Sequence, residues 1–181
     1  MRFDNTLTRN DRIVSDKLAA FSEIWMLSNN VLRKYFVPEC DITCDEQLVG
    51  FRGKTPGWTY MPKKPRKYGV KIFWAAGSNT GFALNAIIYG GRNSTNQQKN
   101  LAHYIVMELM SPFFGSGRNV IVDNYFTSHQ LAVSLLSKSL TLLGTIRHHR
   151  KEVPECFKTS LRKTVNSSDF LFDHKHGIFL A

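Results

Sequence analysis

Two aspartates occupy positions at which metal-dependent chemistry on phosphates could be built. Asp45 follows a short apolar run that begins at Ile42, and Asp123 follows the apolar run of residues 120–122. A carboxylate that ends a buried strand is held by a rigid scaffold at the rim of a sheet, where divalent ions for phosphoryl transfer are commonly bound. We therefore predict that Asp45 and Asp123 are catalytic residues that bind Mg²⁺ or Mn²⁺. Such sites usually contain a third carboxylate, and none in a comparable context precedes Ala181.

A strongly basic stretch lies between the two aspartates. Residues 51–72 contain seven basic side chains and no acidic one, and Trp58, Tyr60 and Tyr68 are interleaved with them. Lysine and arginine can neutralise phosphates and aromatic rings can stack on bases, so we predict contact with DNA. The alternative is a solvated hairpin whose aromatic rings cover the edge of a sheet. The predicted DNA-binding residues are Arg52, Lys54, Lys63, Lys64, Arg66, Lys67, Lys71, Arg147 and Arg150.

The overall composition is that of a basic protein with one globular domain. Its 181 residues carry a formal net charge of +10, which favours a polyanionic partner, although a merely basic protein would show the same charge. Residues 62–67 resemble a nuclear import signal, so we predict a nuclear location. Three cysteines suggest a reducing compartment, and we interpret Cys40 and Cys44 as packing residues. No apolar run is long enough to span a bilayer, so no membrane association is expected.

The hydrophobic pattern predicts an α/β protein with a mixed sheet and helices on its faces. Helices are predicted at residues 11–36, at residues 99–110 and in the segment that follows Ser128, a good N-cap. Strands are predicted at residues 41–49, 68–76, 82–89, 120–122 and 142–146. Residues 51–67 should form a basic loop or hairpin, and residues 77–81 a turn. Beyond residue 150 the pattern weakens, and a partly ordered segment is expected.

Several short motifs resemble those of a known family. The strand order, with one aspartate on the first strand and another on the fourth, resembles the plan of ribonuclease H-like nucleotidyl transferases. The motifs lie at residues 45–54, 62–71, 123–128, 144–147 and 152–154. The first two resemble the start of the catalytic domain of piggyBac-type transposases, and the third, Asp-Asn-Tyr-Phe-Thr-Ser, resembles that family's second acidic motif. The last two resemble the strand and the proline step that follow it.

This resemblance implies a DDE/D transposase of the cut-and-paste kind with a ribonuclease H-like fold. In this family two divalent cations held by carboxylates serve to cleave and join DNA at transposon ends, through hairpin intermediates and at TTAA targets. Asp45 would be the first metal ligand and Asp123 the second. The family's third acidic residue lies in a Gly-Gly-x-Asp-x-x-Asp segment after an insertion, and we expect this chain to stop within that insertion. Asp169 and Asp173 resemble the insertion and not the catalytic motif.

The resemblance also sets an expected organisation. Residues 1–40 would be a helical lead-in, and residues 41–150 the first part of the ribonuclease H-like domain, truncated before its last catalytic element. Residues 151–181 would start the insertion. Two alternatives to a transposase activity remain: a domesticated remnant that binds DNA without catalysis, and a degenerate fragment without function. An unpaired sheet edge would also favour self-association, including a homodimer.

Overall fold

The computed structural model describes residues 4–53, 55, 57–91, 100–158 and 167–181, so the predicted DNA-binding residue Lys54 lies outside the described residues. In the described part of the chain, six strands form one mixed sheet. These strands are β1 Asp41–Gly50, β2 Trp58–Tyr60, β3 Tyr68–Gly77, β4 Ala83–Ile88, β5 Asn119–Val122 and β6 Thr141–Gly144. The first four helices along the chain are α1 Arg9–Ser15, α2 Ser22–Tyr35, α3 Leu101–Met110 and α4 His129–Leu136. A short helix, α5 Glu155–Lys158, and a hairpin of β7 Leu171–Asp173 and β8 Ile178–Leu180 follow.

The strand order is β2-β3-β1-β5-β6, and β4 pairs with β3 as well. β1 pairs with β3 in the antiparallel sense, from Ile42 opposite Gly77 to Gly50 opposite Gly69. β1 also pairs with β5 in the parallel sense, and β5 with β6 likewise. Parallel neighbours need a crossover connection, and helices α3 and α4 lie in the connections that lead to β5 and β6. The predicted mixed α/β sheet with flanking helices is confirmed.

The hydrophobic core lies on one face of the sheet. Ile42 and Cys44 alternate along β1 with exposed or half-buried residues, and they pack with Phe73 of β3. Helices α3 and α4 cover this face, because their apolar residues recur at helical spacing. The buried helix residues are Ile105, Val106, Leu109, Met110, Leu131 and Leu135. Cys44 is buried within this core and is therefore a packing residue, as predicted, and burial raises the pKa of its thiol to about 12. The same interpretation is wrong for Cys40, which precedes β1 and is exposed.

The opposite face of the sheet is partly covered by α2. The Trp25 ring packs against Trp74 of β3, with ring centroids 5.8 Å apart. The Trp25 indole N–H donates a hydrogen bond to the Ala86 carbonyl at 3.0 Å, and the Asn29 side-chain amide donates to the same carbonyl at 2.8 Å. These contacts hold α2 over two strands: β4 supplies the Ala86 carbonyl, and β3 supplies the Trp74 ring.

The N-terminal segment is two helices, which corrects the prediction of one helix over residues 11–36. The backbone of Asp16 is extended, and its carboxylate accepts a hydrogen bond from the Leu18 N–H at 2.8 Å. This local bond competes with the helical pattern, so α1 ends at Ser15 and α2 starts seven residues later, at Ser22. Ahead of α1, the Asp4 carboxylate binds Arg12 and Arg9, whose guanidinium groups hold the pKa of that carboxyl below its usual range.

The loops and the tail confirm part of the predicted pattern and add to it. The described residues between 51 and 67 form a hairpin arm, because β2 pairs with β3. The turn over residues 77–81 is confirmed: the Gly81 N–H donates to the Gly77 carbonyl at 2.8 Å, and Gly81 has a φ of +66°, which glycine adopts readily. The tail contains α5 and the β7–β8 hairpin, elements too short to leave a periodic pattern. None of the helices in the described residues is long and apolar enough to cross a membrane.

Candidate active site

The pairing of β1 with β5 brings the two predicted aspartates to adjacent strands. The last pair of this parallel register is Cys44 with Val122, so the next step sets Asp45 beside Asp123. β5 ends at Val122, whereas β1 continues along β3 to Gly50. Asp45 therefore lies inside its strand, after the apolar run that begins at Ile42 and within the predicted strand of residues 41–49, and Asp123 follows the carboxyl end of β5. Both residues are exposed.

Each of these carboxylates has one oxygen engaged by the backbone. Oδ1 of Asp45 accepts a hydrogen bond from the Glu46 N–H at 2.7 Å, and Oδ1 of Asp123 accepts one from the Tyr125 N–H at 3.0 Å. Within the described ranges, neither Oδ2 has a protein hydrogen-bond partner and neither carboxylate pairs with a cation. Two like charges on neighbouring strands repel each other, and a bound cation would relieve that repulsion.

This donor set fits a hard divalent cation. Mg²⁺ and Mn²⁺ prefer carboxylate oxygens, and Mg²⁺ usually keeps several waters in its shell. The exposed positions of Asp45 and Asp123 leave space for such waters and for a phosphate oxygen. Among the described residues, no third carboxylate, histidine or cysteine joins this pair. Asp45 and Asp123 would therefore supply two protein ligands, and the remaining ligands would come from water, substrate or another acidic group.

A different carboxylate of β1, Glu46, is neutralised within the domain. Its oxygens lie 3.6 Å from Lys64 Nζ and 3.7 Å from Lys71 Nζ. The Lys71 ammonium also lies over the rings of Phe73 and Tyr125, at 4.6 Å and 5.2 Å from their centroids, and its side chain is only 12% exposed. Burial, together with the negative charge of Glu46, raises the pKa of Tyr125. Lys71, one of the predicted DNA-binding residues, is thus engaged in contacts inside the domain.

The loop that follows Asp123 is held by the two predicted arginines beyond β6. Nε of Arg147 donates a hydrogen bond to Oδ1 of Asn124 at 3.2 Å. The Arg150 guanidinium donates to the Tyr125 carbonyl at 3.4 Å. These contacts place two positive charges beside the loop that carries Asp123.

The close approach of β6 to this loop requires a glycine. A Cβ atom on Gly144 would lie 2.4 Å from Thr127 Oγ1 and 2.8 Å from the carbonyl oxygen of Val122. The Thr127 hydroxyl in turn donates to the Asp123 carbonyl at 2.8 Å. The position of the Asp123 loop therefore depends on the absence of a side chain at residue 144.

The other predicted basic residues that the structure describes lie toward the far end of β1. A cavity of about 620 Å³ opens there, lined by Gly50, Phe51, Arg52, Pro65, Arg66, Lys67 and Tyr68. The Arg66 side chain crosses Gly50, where an added Cβ would lie 2.3 Å from Arg66 Cδ. Arg52, Lys63, Arg66 and Lys67 are exposed, and Lys64 is half-buried through its contact with Glu46. This basic rim therefore keeps four of its cations open to solvent.

The three interleaved aromatic residues stack on one another. The ring centroids of Trp58 and Tyr68 lie 4.7 Å apart, and the two rings are nearly parallel, at 6°. The ring centroid of Tyr60 also lies 4.7 Å from that of Tyr68. Each ring is about half exposed. The arrangement favours the alternative in which these rings cover the sheet edge. Their exposed surfaces leave the prediction of base stacking open.

A second group of ligand-type side chains lies outside the predicted site. The ligand atoms of His129, Asp173 and His176 lie within 4.8 Å of one another. No local sequence pattern reveals this group, because His129 is far from the other two residues along the chain. The spacing of Asp173 and His176 across a turn is the one signal that could have pointed to it.

Comparison with known proteins decides the family. A family model described as Transposase IS4, of the DDE type, matches residues 1–181. A cryo-EM structure of a piggyBac transposase synaptic complex with hairpin DNA shares 38% sequence identity with the chain, at a TM-score of 0.89. The chain belongs to the piggyBac-type transposase family. The match covers 95% of this chain and 36% of the solved one, so the chain spans about a third of the length of that piggyBac transposase.

Membership of the piggyBac-type family confirms the resemblance inferred from the short motifs. The family fold is the mixed sheet described above, with helices on its faces. On that fold, the motif at residues 45–54 starts inside β1, and the motif at residues 123–128 follows β5 directly. Motifs that are distant in the chain thus meet at one edge of the family fold.

Proposed function

We propose that this chain forms part of the catalytic domain of a transposase that cleaves and joins DNA, with Asp45 and Asp123 as ligands of Mg²⁺ or Mn²⁺. The observation that supports the proposal is the register of β1 and β5, because two exposed carboxylates directly follow its last pair, Cys44 with Val122, one on each side. Divalent ions at such a site activate the attacking water or hydroxyl and stabilise the leaving oxygen. The solved relative is a complex with hairpin DNA, which supports DNA as the substrate.

The residues around the pair have separate tasks in this proposal. Asp45 and Asp123 orient their open oxygens through the backbone bonds to their Oδ1 atoms. Arg147 and Arg150 hold the Asp123 loop and place positive charge where a DNA phosphate would approach. The exposed cations of the basic rim contact the DNA backbone and set the position of the duplex without reading its sequence.

The proposal extends to the DNA that the protein acts on, to its assembly and to its location in the cell. By family membership, we infer transposon ends as the DNA and TTAA as the target, with two copies of the protein acting together. The basic residues 62–67 would direct the protein to the nucleus. Green fluorescent protein fused to the chain should accumulate in nuclei, and replacement of Lys63, Lys64, Arg66 and Lys67 by alanine should abolish that accumulation.

A cleavage assay tests the catalytic proposal. The full chain is incubated with labelled duplexes that carry a TTAA site, with Mg²⁺, Mn²⁺ or EDTA. We expect nicked product only with metal, and none from Asp45→Ala or Asp123→Ala, because each removes a ligand. Glu152→Ala removes an exposed carboxylate outside the site and should leave cleavage unchanged. Metal-independent nicking, or nicking that survives both aspartate substitutions, would contradict the proposal.

A second candidate function, DNA binding without catalysis, is favoured by the basic rim. Binding to phosphates does not need the aspartates, so it should persist in Asp45→Ala and strengthen slightly as negative charge is lost. The logarithm of the binding constant should fall linearly with the logarithm of salt concentration, with a slope of about −0.9 for each phosphate contact. Lys63→Ala and Lys67→Ala should each reduce that slope by roughly one contact. Salt-dependent binding with no cleavage under any metal would select this second function.

A further inference from the structure

Three side chains from two distant parts of the chain converge beside the N-terminal end of α4. His129 is the first residue of α4, Asp173 is the last residue of β7, and His176 lies in the turn between β7 and β8. His176 Nδ1 lies 2.6 Å from Asp173 Oδ2, and His129 Nε2 lies 3.6 Å from the same oxygen. The two imidazole rings are 5.3 Å apart and nearly perpendicular. One carboxylate oxygen thus faces two ring nitrogens.

The backbone of the hairpin orients this carboxylate toward the histidines. The Lys175 N–H donates a hydrogen bond to Asp173 Oδ1 at 3.0 Å, which leaves Oδ2 to face both imidazoles. Gly177 completes the turn with a φ of +63°, a value that glycine adopts readily. Such a backbone bond to the second oxygen is the kind of outer contact that holds metal-ligating carboxylates in place.

We propose that His129, Asp173 and His176 form a zinc site that fastens the β7–β8 hairpin to α4. Zinc binds imidazole nitrogen and carboxylate oxygen at about 2.0–2.2 Å, so neighbouring ligand atoms of a tetrahedral ion lie roughly 3.3–3.5 Å apart. The 3.6 Å separation of His129 and Asp173 matches that value, and His176 would move back by somewhat under 1 Å. Nitrogen ligands distinguish this site from the oxygen-only chemistry of Mg²⁺.

The exposure of the three side chains suits an ion with an open coordination position. The side chains of His129, Asp173 and His176 are 42%, 38% and 30% exposed, so all three remain partly open to solvent. Three protein ligands would leave the fourth position of a tetrahedral ion to water. An ion that joins α4 to the hairpin would also stabilise these two strands of three residues, since an isolated hairpin is marginally stable in water.

Zinc binding is measured on the full chain in competition with a chromophoric chelator, in a Cys40→Ser and Cys156→Ser background that removes the exposed thiols. Excess Mg²⁺ is present throughout, so that oxygen-only sites are filled. We expect one zinc per chain, with the affinity reduced more than about tenfold in His129→Ala and in His176→Ala, because a lost ligand should cost at least as much as a lost outer contact.

Two controls separate this site from surface histidines. His174→Ala removes an exposed imidazole from the same hairpin, and it should bind zinc as the parent does. The double substitution of His148 and His149, two adjacent exposed imidazoles, should also leave the affinity unchanged. Circular dichroism checks that every variant is folded. Equal affinity in the parent, His129→Ala and His176→Ala would overturn the proposal, as would loss of binding only in the His148 and His149 variant.

A structural readout makes the tether itself testable. Zinc should slow hydrogen exchange of the amides of residues 171–180 in the parent chain and should not do so in His129→Ala, whose substitution lies outside the hairpin. Co²⁺ in place of zinc should give visible absorption bands that are lost in both ligand variants. Unchanged exchange in the parent would overturn the tether. This proposal does not depend on the Asp45 and Asp123 site, so its failure would leave the cleavage proposal untouched.

Discussion

At the scale of single residues, neighbouring carboxylates of β1 have opposite environments. Glu46 is neutralised by Lys64 and Lys71, whereas Asp45, next to it on β1, forms no ion pair with a cation among the described residues. The Glu46 carboxylate therefore stabilises the domain, and the Asp45 carboxylate remains available to bind a metal ion. This difference can be tested without a catalytic assay. The charge of Glu46 should increase the free energy of unfolding, and the charge of Asp45 should decrease it.

We expect Asp45→Asn to stabilise the metal-free chain, because it removes repulsion between like charges on adjacent strands. The gain should be about 0.2–1 kcal/mol, or a rise in melting temperature of roughly 1–4 °C. The same variant should lose the stabilisation that millimolar Mg²⁺ or Mn²⁺ gives the parent, since ligands that bind the folded state stabilise it. Thermal denaturation with and without metal measures both effects.

Glu46→Gln is the matched control for this substitution. It removes a carboxylate one residue away, leaves Lys71 half-buried without its partner, and should lower stability by about 1 kcal/mol. Its response to Mg²⁺ should remain that of the parent. If Asp45→Asn destabilises the metal-free chain, or keeps the metal response, then the two aspartates do not form a shared cation site.

The buried thiol provides a second test at this scale. With a pKa raised to about 12 by burial, Cys44 should be unreactive toward a thiol reagent at pH 8, where roughly one part in ten thousand would be thiolate. Cys40 and Cys156 are exposed and should react quickly. Reagent titration should therefore count two thiols in the native chain and three in denaturant. Three rapid thiols in the native chain would mean that Cys44 is not enclosed in the core.

At the scale of elements, the site depends on how strands and turns approach one another. The parallel register of β1 and β5 sets the aspartates together, and the Ser128 hydroxyl caps α4 by accepting a hydrogen bond from the Leu131 N–H at 3.2 Å. That cap starts α4 immediately after the loop that contains Asp123. β6 then packs closely against this loop at Gly144.

We expect Gly144→Ala to be destabilising and to displace the Asp123 loop. The added Cβ would meet the backbone carbonyl of Val122 at 2.8 Å, a contact that no rotamer change can relieve. The cost should be about 1–3 kcal/mol, and the stabilisation by Mg²⁺ should fall with it. Gly90→Ala is the control, because its Cβ would meet only Leu18 at an ordinary 3.8 Å. Equal melting temperatures for the two variants would contradict this account of Gly144.

At the scale of the whole molecule, the chain combines a basic surface with an open sheet edge. The formal net charge is +10, which favours polyanions and opposes association between copies of the chain. The sheet edge has the opposite effect. Among the described residues β6 pairs only with β5, and Leu143 of β6 is 59% exposed. An unpaired strand edge of this kind is a template for pairing with a second chain.

We expect the purified chain to self-associate through β6. Leu143→Lys places a charge on that strand and should shift the chain toward monomer in size-exclusion chromatography with light scattering. Leu136→Lys introduces the same charge at a 48% exposed position on α4 and should not do so. A parent chain that is monomeric at high concentration would contradict this prediction, as would equal effects of the two lysine substitutions.

Much of the fold could be predicted from sequence because the elements that bury one face carry periodic apolar residues. The strands β1, β3, β4 and β5 and the helices α3 and α4 appear within a few residues of their predicted bounds. The prediction of a single N-terminal helix is wrong. The segment forms two helices, because the hydrogen bond from the Leu18 N–H to the Asp16 carboxylate interrupts an otherwise helical pattern. The short β7 and β8 strands have too few residues to show a period.

The amino-acid sequence by itself determined the family, the order of the main strands and core helices, and the choice of Asp45 and Asp123 as candidate metal ligands, because these follow from local motifs and hydrophobic periodicity. The tertiary structure decided which residues meet. The register that sets Asp45 beside Asp123, the engagement of Lys71 by Glu46, and the convergence of His129 with Asp173 and His176 all join residues distant in the chain. Such contacts depend on strand pairing and packing over the whole domain, which no local pattern encodes.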